Sequence, residues 1–159
     1  MASADTADAL AVIRRARPAV CVVSADAGPR YIHRLSQLAA APSVLVYADR
    51  RSAELDATMA IAGADGVLWR YGDPGLLADT IRRVSERRHR PPDVAGETIR
   101  RLIDRVDDRD RPIAAMLLQR IAPDEIARTL GISARSLRAR RRGIIRRLEQ
   151  TGHGAPRGR

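Results

Sequence analysis

Three short apolar runs rich in β-branched residues, at 19–23, 44–47 and 66–69, alternate with segments of helical period. This alternation restricts the first half of the chain to a parallel sheet, because parallel strands need long crossover connections and helices supply them. The predicted order is helix 5–16, strand 19–23, helix 29–40, strand 44–47, helix 52–62, strand 66–69 and helix 74–88. Pro74 suits a first helical position, and Leu76, Leu77, Ile81 and Val84 mark one apolar face of the helix that follows it. Aromatic residues are only 3% of the chain and Phe is absent, so its cores must be built from Ala, Val, Ile and Leu. Such side chains suit helices packed on one another or on a small parallel sheet.

The stretch Glu86-Arg-Arg-His-Arg-Pro-Pro-Asp93 combines charge with a proline pair and has no apolar anchor, the pattern of a linker. An amphipathic helix is predicted at 94–106, with Ile99, Leu102, Ile103 and Val106 on one side. Helices at 110–119, 123–130 and 134–150 follow, and the Gly-, Pro- and Arg-containing tail 151–159 is expected to be disordered. The 159 residues thus divide into two small domains, α/β and then all-α.

Every one of the 29 basic residues is Arg, the net charge is +10, and the charge is uneven. From Ala134 to Arg159 nine arginines face Glu149 alone, which places +8 there and leaves +2 for the other 133 residues. A pole of guanidinium groups implies a polyanionic partner, and the guanidinium fork matches phosphates and guanine edges. No run approaches the roughly 20 apolar residues of a membrane span, and the acidic start lacks a basic signal-peptide region, so the expected location is cytoplasmic with no membrane partner. Cys21 is the single cysteine, set among apolar neighbours, and is expected to be an inert thiol.

The basic pole has internal order. Pro123 begins a helix with Asp124 and Glu125 in its first turn, Gly131 ends it, and Ser133 is a natural N-cap for the next helix. Helix, Gly-containing turn and helix is the arrangement that sets its second helix in the major groove. At 100° per residue, Leu137, Ile144 and Leu148 fall on one side of that second helix, 133–148, with Ile145 at the edge. Arg135, Arg138, Ala139, Arg142 and Arg146 fall on the other. Arg138 and Arg142, one turn apart in mid-face, are the candidates for reaching bases, whereas Arg135, Arg146 and the flanking Arg140 and Arg147 are expected on phosphates. Arg141 points towards the apolar side and is expected to snorkel from its edge.

The segment 106–148, above all Glu125-Ile-Ala-Arg-Thr-Leu-Gly-Ile-Ser133 with Ser136-Leu-Arg-Ala-Arg-Arg-Arg-Gly-Ile-Ile-Arg-Arg-Leu148, resembles the LuxR/NarL-type DNA-binding domain. The resemblance implies DNA contacts from Arg138, Ala139 and Arg142. Three positions depart from the pattern: Arg120 where the family usually has Gly, Arg140 where it often has His, and Asp110 where it prefers Glu. The family's fourth helix, which carries its dimer contact, has no counterpart in the sequence after Thr151. A sigma-factor region 4 domain has a similar helix-turn-helix and stands as a more distant relative.

Residues 10–84 resemble the later part of a response-regulator receiver, most clearly at Gly63-Ala-Asp-Gly-Val-Leu-Trp-Arg70 and Asp73-Pro-Gly-Leu-Leu77, and the domain order is that of the NarL/FixJ regulators. The resemblance implies a flavodoxin-like fragment of three strands over 1–88, a linker and linker helix at 89–106, and the DNA-binding domain at 107–150. Receiver chemistry needs an Asp acceptor, an acidic pair for a cation, a hydroxyl and a Lys. Those positions hold Ser24 for the acceptor, Ala48 for the hydroxyl and Arg70 for the Lys, and the strand that bears the acidic pair has no counterpart. No phosphoacceptor and no metal site is therefore expected. In the family's strand order 2-1-3-4-5, the missing strands leave 19–23 as an open edge, which predicts a homodimer or a complex with another regulator.

The expectation is thus a double-stranded-DNA-binding transcriptional regulator that acts without aspartyl phosphorylation. The alternative is an interaction module whose receiver-like half sequesters another regulator while the basic helix binds nucleic acid nonspecifically. Neither reading needs a catalytic residue or a cofactor. No nucleophile–base pairing, metal-ligand cluster or phosphate loop is visible, since Gly63-Ala-Asp-Gly66 lacks the spacing of one.

Overall fold

The computed structural model describes residues 6–50, 52–69, 72–86 and 95–152. The predicted linker segment 89–94, the tail from 153 onwards and Arg70 lie outside them. The fold class is α/β plus all-α, and the chain divides into two compact units.

The first unit holds strands β1 (Val20–Ser24), β2 (Ser43–Ala48) and β3 (Gly66–Trp69), all parallel, in the order β1-β2-β3. β2 is central, and Val44, Leu45 and Val46 are wholly buried, which is why its sequence is a continuous apolar run and not an alternating one. Asp65 fixes the start of β3: its carboxylate accepts the Val44 N–H at 2.7 Å, and its own N–H donates to the Val44 carbonyl at 2.7 Å. Helices α1 (Thr6–Ala16) and α2 (Gly28–Ser36) belong to this unit. Helix α2 buries Tyr31, Ile32, His33 and Leu35. It stops four residues before the predicted boundary, where Gln37 closes its last turn.

The second unit contains helices α3 (Ala53–Ala62), α5 (Gly96–Ile103), α6 (Arg111–Leu118), α7 (Pro123–Thr129) and α8 (Ala134–Gly152); α4 (Pro74–Ser85) remains with the sheet unit. In α4, Asp73 caps the first turn by accepting the Gly75 N–H at 2.8 Å ahead of Pro74. The assignment of α3 departs from the sequence reading, which placed all of 1–88 in one domain. Residues 52–62 form the connection between β2 and β3, yet α3 packs on α5, α6 and α8. The physical reason lies in its composition: Ala57, Met59, Ala60, Ile61 and Ala62 are buried, and Thr58 is the single polar side chain after Asp56, so the second half of the helix needs an apolar core to pack on. The Arg105 guanidinium also pairs with Glu54 in its first turn.

The core of this unit is aliphatic, as the composition requires. Ile61, Ile113, Ile126, Leu102, Leu137, Ile144, Ile145 and Leu148 are almost entirely buried. Helix α8 runs to Gly152, two residues past the predicted end. No helix among the described residues is long and apolar enough to cross a membrane. If α3 is part of the helical core, Ile61→Ala costs about 2–4 kcal/mol of folding free energy, from lost transfer energy and the cavity left behind. Urea unfolding of the full chain measures it, and a loss under about 0.5 kcal/mol contradicts this packing.

Candidate nucleic-acid interface

Helices α6 and α7 end in the same way, and the second of these ends sets the angle at which α8 leaves. At the end of α7, the Gly131 N–H donates to the Arg128 carbonyl at 3.3 Å and the Ile132 N–H to the Ala127 carbonyl at 3.0 Å. This paired closure needs a left-handed residue at its centre, and Gly131 supplies it with φ of +62°. At the end of α6 the Arg120 N–H donates to Leu117 at 3.1 Å and the Ile121 N–H to Met116 at 3.0 Å, with Arg120 itself at φ of +62°. Position 120 thus has a backbone that favours glycine, and Arg120 adopts it at a cost on the order of 1 kcal/mol.

Ser133 stands directly after the turn. Its hydroxyl oxygen accepts the Ser136 N–H at 3.1 Å, so it caps α8 as the sequence predicts. From there α8 divides into two faces. Leu137, Arg141, Ile144, Ile145 and Leu148 are buried, a continuous stripe in which an arginine occupies one core position. Arg135, Arg138, Ala139, Arg142 and Arg146 are exposed together on the opposite face. None of these four arginines has a hydrogen bond or ion pair with another described residue. Their charges are therefore unpaired among the described residues, on an exposed face.

Arg140 and Arg147 behave differently. Arg147 pairs with Asp107 at 2.7 Å, and Arg140 lies 3.7 Å from Asp110 while donating to the Arg109 carbonyl at 3.4 Å. These two flanking arginines, predicted as phosphate contacts, are held against the segment that precedes α6. Asp110 is only 6% exposed, so its carboxylate is a fixed anchor and not a surface charge. An open groove of about 500 Å³ is lined by Ala139, Gly143, Arg140, Arg147, Asp107 and Asp110 among others. The sequence reading gave neither acid a role towards α8; the signal for one is the run Asp107-Asp-Arg-Asp110 in a chain with an arginine-rich helix.

Arg141 is the larger departure. It does not snorkel: it is 6% exposed, and its Nε donates to the Ile61 carbonyl at 2.6 Å, one residue from the end of α3. Burial, reinforced by the nearby Arg120 charge, lowers its guanidinium to about 10. The charge is tolerated because the last carbonyls of a helix lack partners of their own and carry partial negative charge.

Ser24, at the receiver acceptor position, is tied into a local turn. Its hydroxyl accepts the Asp26 N–H at 3.2 Å and donates to the Asp26 carboxylate at 3.1 Å, capping a short 3-10 turn at Ala25–Ala27. His33 is buried in α2, whereas Trp69 is half exposed with its indole N–H donating to the Asp49 carbonyl at 3.2 Å.

No protein-family model matches this sequence, and no curated protein matches it. Among solved structures, the chain is similar to the RcsB response regulator of Salmonella typhimurium, described in connection with conformational dynamism for DNA interaction. The two share 13% identity with a TM-score of 0.44, and the match covers 91% of this chain and 76% of that one. At that score the overlay is a partial likeness of chain path.

The two arginine classes separate by substitution. Arg141→Ala removes a buried stem and leaves the Ile61 carbonyl without its donor, so it lowers folding stability by about 2 kcal/mol. Arg138→Ala, on the exposed face, stays within about 0.5 kcal/mol of the wild type. Equal effects of the two in thermal or urea unfolding would contradict this assignment.

Proposed function

We propose that the protein is a DNA-binding transcriptional regulator of the response-regulator type that places α8 in the major groove of duplex DNA and works without aspartyl phosphorylation. The observation that carries the reading is the exposed face of α8: four arginines with no side-chain partner among the described residues, on the second helix of a Gly-turned pair. Arg135 and Arg146 neutralise phosphates and release counterions, which gives affinity. Arg138 and Arg142 reach guanine O6 and N7, which gives sequence choice. Ala139 between them keeps the face low enough for close approach or for contact with a thymine methyl. Arg140 and Arg147, held by Asp110 and Asp107, set how α8 is presented and contribute less to phosphate binding than the four outward arginines.

The local use of Ser24 and Asp26 in a turn supports the absence of phosphoryl chemistry from this reading, and no catalytic role is assigned to the protein. LuxR-type membership and a cytoplasmic site of action belong to the same proposal.

Binding to genomic fragments selected by the protein, compared with random duplex over a range of salt, tests it. Arg146→Ala reduces the slope of log K against log salt by about 1 and weakens all sequences alike. Arg138→Ala or Arg142→Ala instead removes about 1–3 kcal/mol of preference for the selected sequence. Equal affinity for selected and random duplex at every salt concentration sinks the sequence-specific claim.

A further inference from the structure

Strand β1 has β2 on one side and, among the described residues, no strand on the other. It also lacks the devices that shield open edges. Val20–Ser24 contains no charge and no proline, its register with β2 is unbroken from Val20 to Ser24, and Val22 is 47% exposed. The direction of its free backbone groups is set. The Ala19 carbonyl accepts the Ser43 N–H of β2, so the alternation of the strand turns Val20, Val22 and Ser24 towards the open side. At the two ends of the strand stand exposed residues of opposite charge, Arg17 before it and Asp26 after it, neither in an ion pair with a described residue.

We propose that two copies of this chain join through β1 as an antiparallel pair whose two-fold axis passes through Val22. In that register Val22 faces Val22 of the second copy, Val20 faces Ser24, and Cys21 faces Val23. The two Val22 residues exchange both main-chain hydrogen bonds, and each Ser24 N–H donates to the Val20 carbonyl of the other copy, four bonds in all. Every opposed side chain is apolar or small. The Arg17 end of one strand meets the Asp26 end of the other, so charge favours the antiparallel sense, whereas a parallel pairing sets Arg17 beside Arg17. In this register the sequence fits itself without a buried charge, which an isologous interface requires. The pairing is independent of DNA binding, and the two fail separately.

Full-length Val23→Cys tests the register. The introduced thiol lies opposite Cys21 of the second copy in a non-hydrogen-bonded pair, where Cα atoms are about 4.5 Å apart, inside the range a disulfide spans. Mild oxidation is expected to give a covalent dimer that thiol reductant reverses. The wild type and the double variant Cys21→Ser/Val23→Cys give none, because each lacks one of the two opposed thiols. Sedimentation of the wild type shows a dimer, and Val22→Glu, with two carboxylates across the axis, weakens it several-fold. A wild-type monomer at high micromolar concentration overturns the proposal. So does a covalent dimer that persists without Cys21, or a sedimenting dimer that Val23→Cys fails to cross-link. Retained duplex binding alongside any of these leaves the DNA reading intact.

Discussion

A guanidinium withdrawn from water is costly unless something nearby carries negative charge and accepts its hydrogen bonds. Arg141 meets that condition at the end of α3, where the Ile61 carbonyl takes its Nε proton and the terminal peptide dipoles offset its charge. Much of the helical unit depends on this contact. It joins two segments 80 residues apart, and it lets an arginine occupy a core position in the stripe Leu137, Arg141, Ile144, Ile145 and Leu148. The buried side of α8 is thereby fixed, and the exposed side is fixed with it.

That constraint explains the division of labour among the arginines of α8. Those on the buried stripe or beside it are used internally, Arg141 by α3, Arg140 by Asp110 and Arg147 by Asp107. Those on the opposite side, Arg135, Arg138, Arg142 and Arg146, have no side-chain partner among the described residues and form a uniform cationic face. A charge pattern that looks like a single basic patch in the sequence is therefore two populations, one structural and one available to a polyanion. Asp107 and Asp110 act on the boundary between them by holding the flanking guanidinium groups close to the protein.

Much of this was legible in the sequence because local rules and tertiary packing agree. The three strands, the cap at Ser133, the Gly131 turn and the outward set Arg135, Arg138, Ala139, Arg142 and Arg146 all follow from periodicity and turn chemistry. What was not legible depends on partners distant in the chain. Arg141 interrupts an apolar stripe, and only the position of the Ile61 carbonyl reveals that it is buried and not turned out. The affiliation of α3 is a second case: its apolar residues Ala57, Met59, Ala60 and Ile61 announce a largely buried helix without saying which core receives it. The polar His33 is buried and the aromatic Trp69 half exposed, since side-chain character alone does not decide position.

The central claim is that the arginines of α8 unpaired among the described residues, and not basic charge in general, meet duplex DNA. Modification of the full-length protein by an arginine-specific reagent, read residue by residue by mass spectrometry with and without duplex, addresses it most directly. The account predicts that duplex protects Arg135, Arg138, Arg142 and Arg146, protects Arg140 and Arg147 weakly, and leaves the slow reaction of buried Arg141 unchanged. Equal modification of the four outward arginines with and without duplex would contradict it.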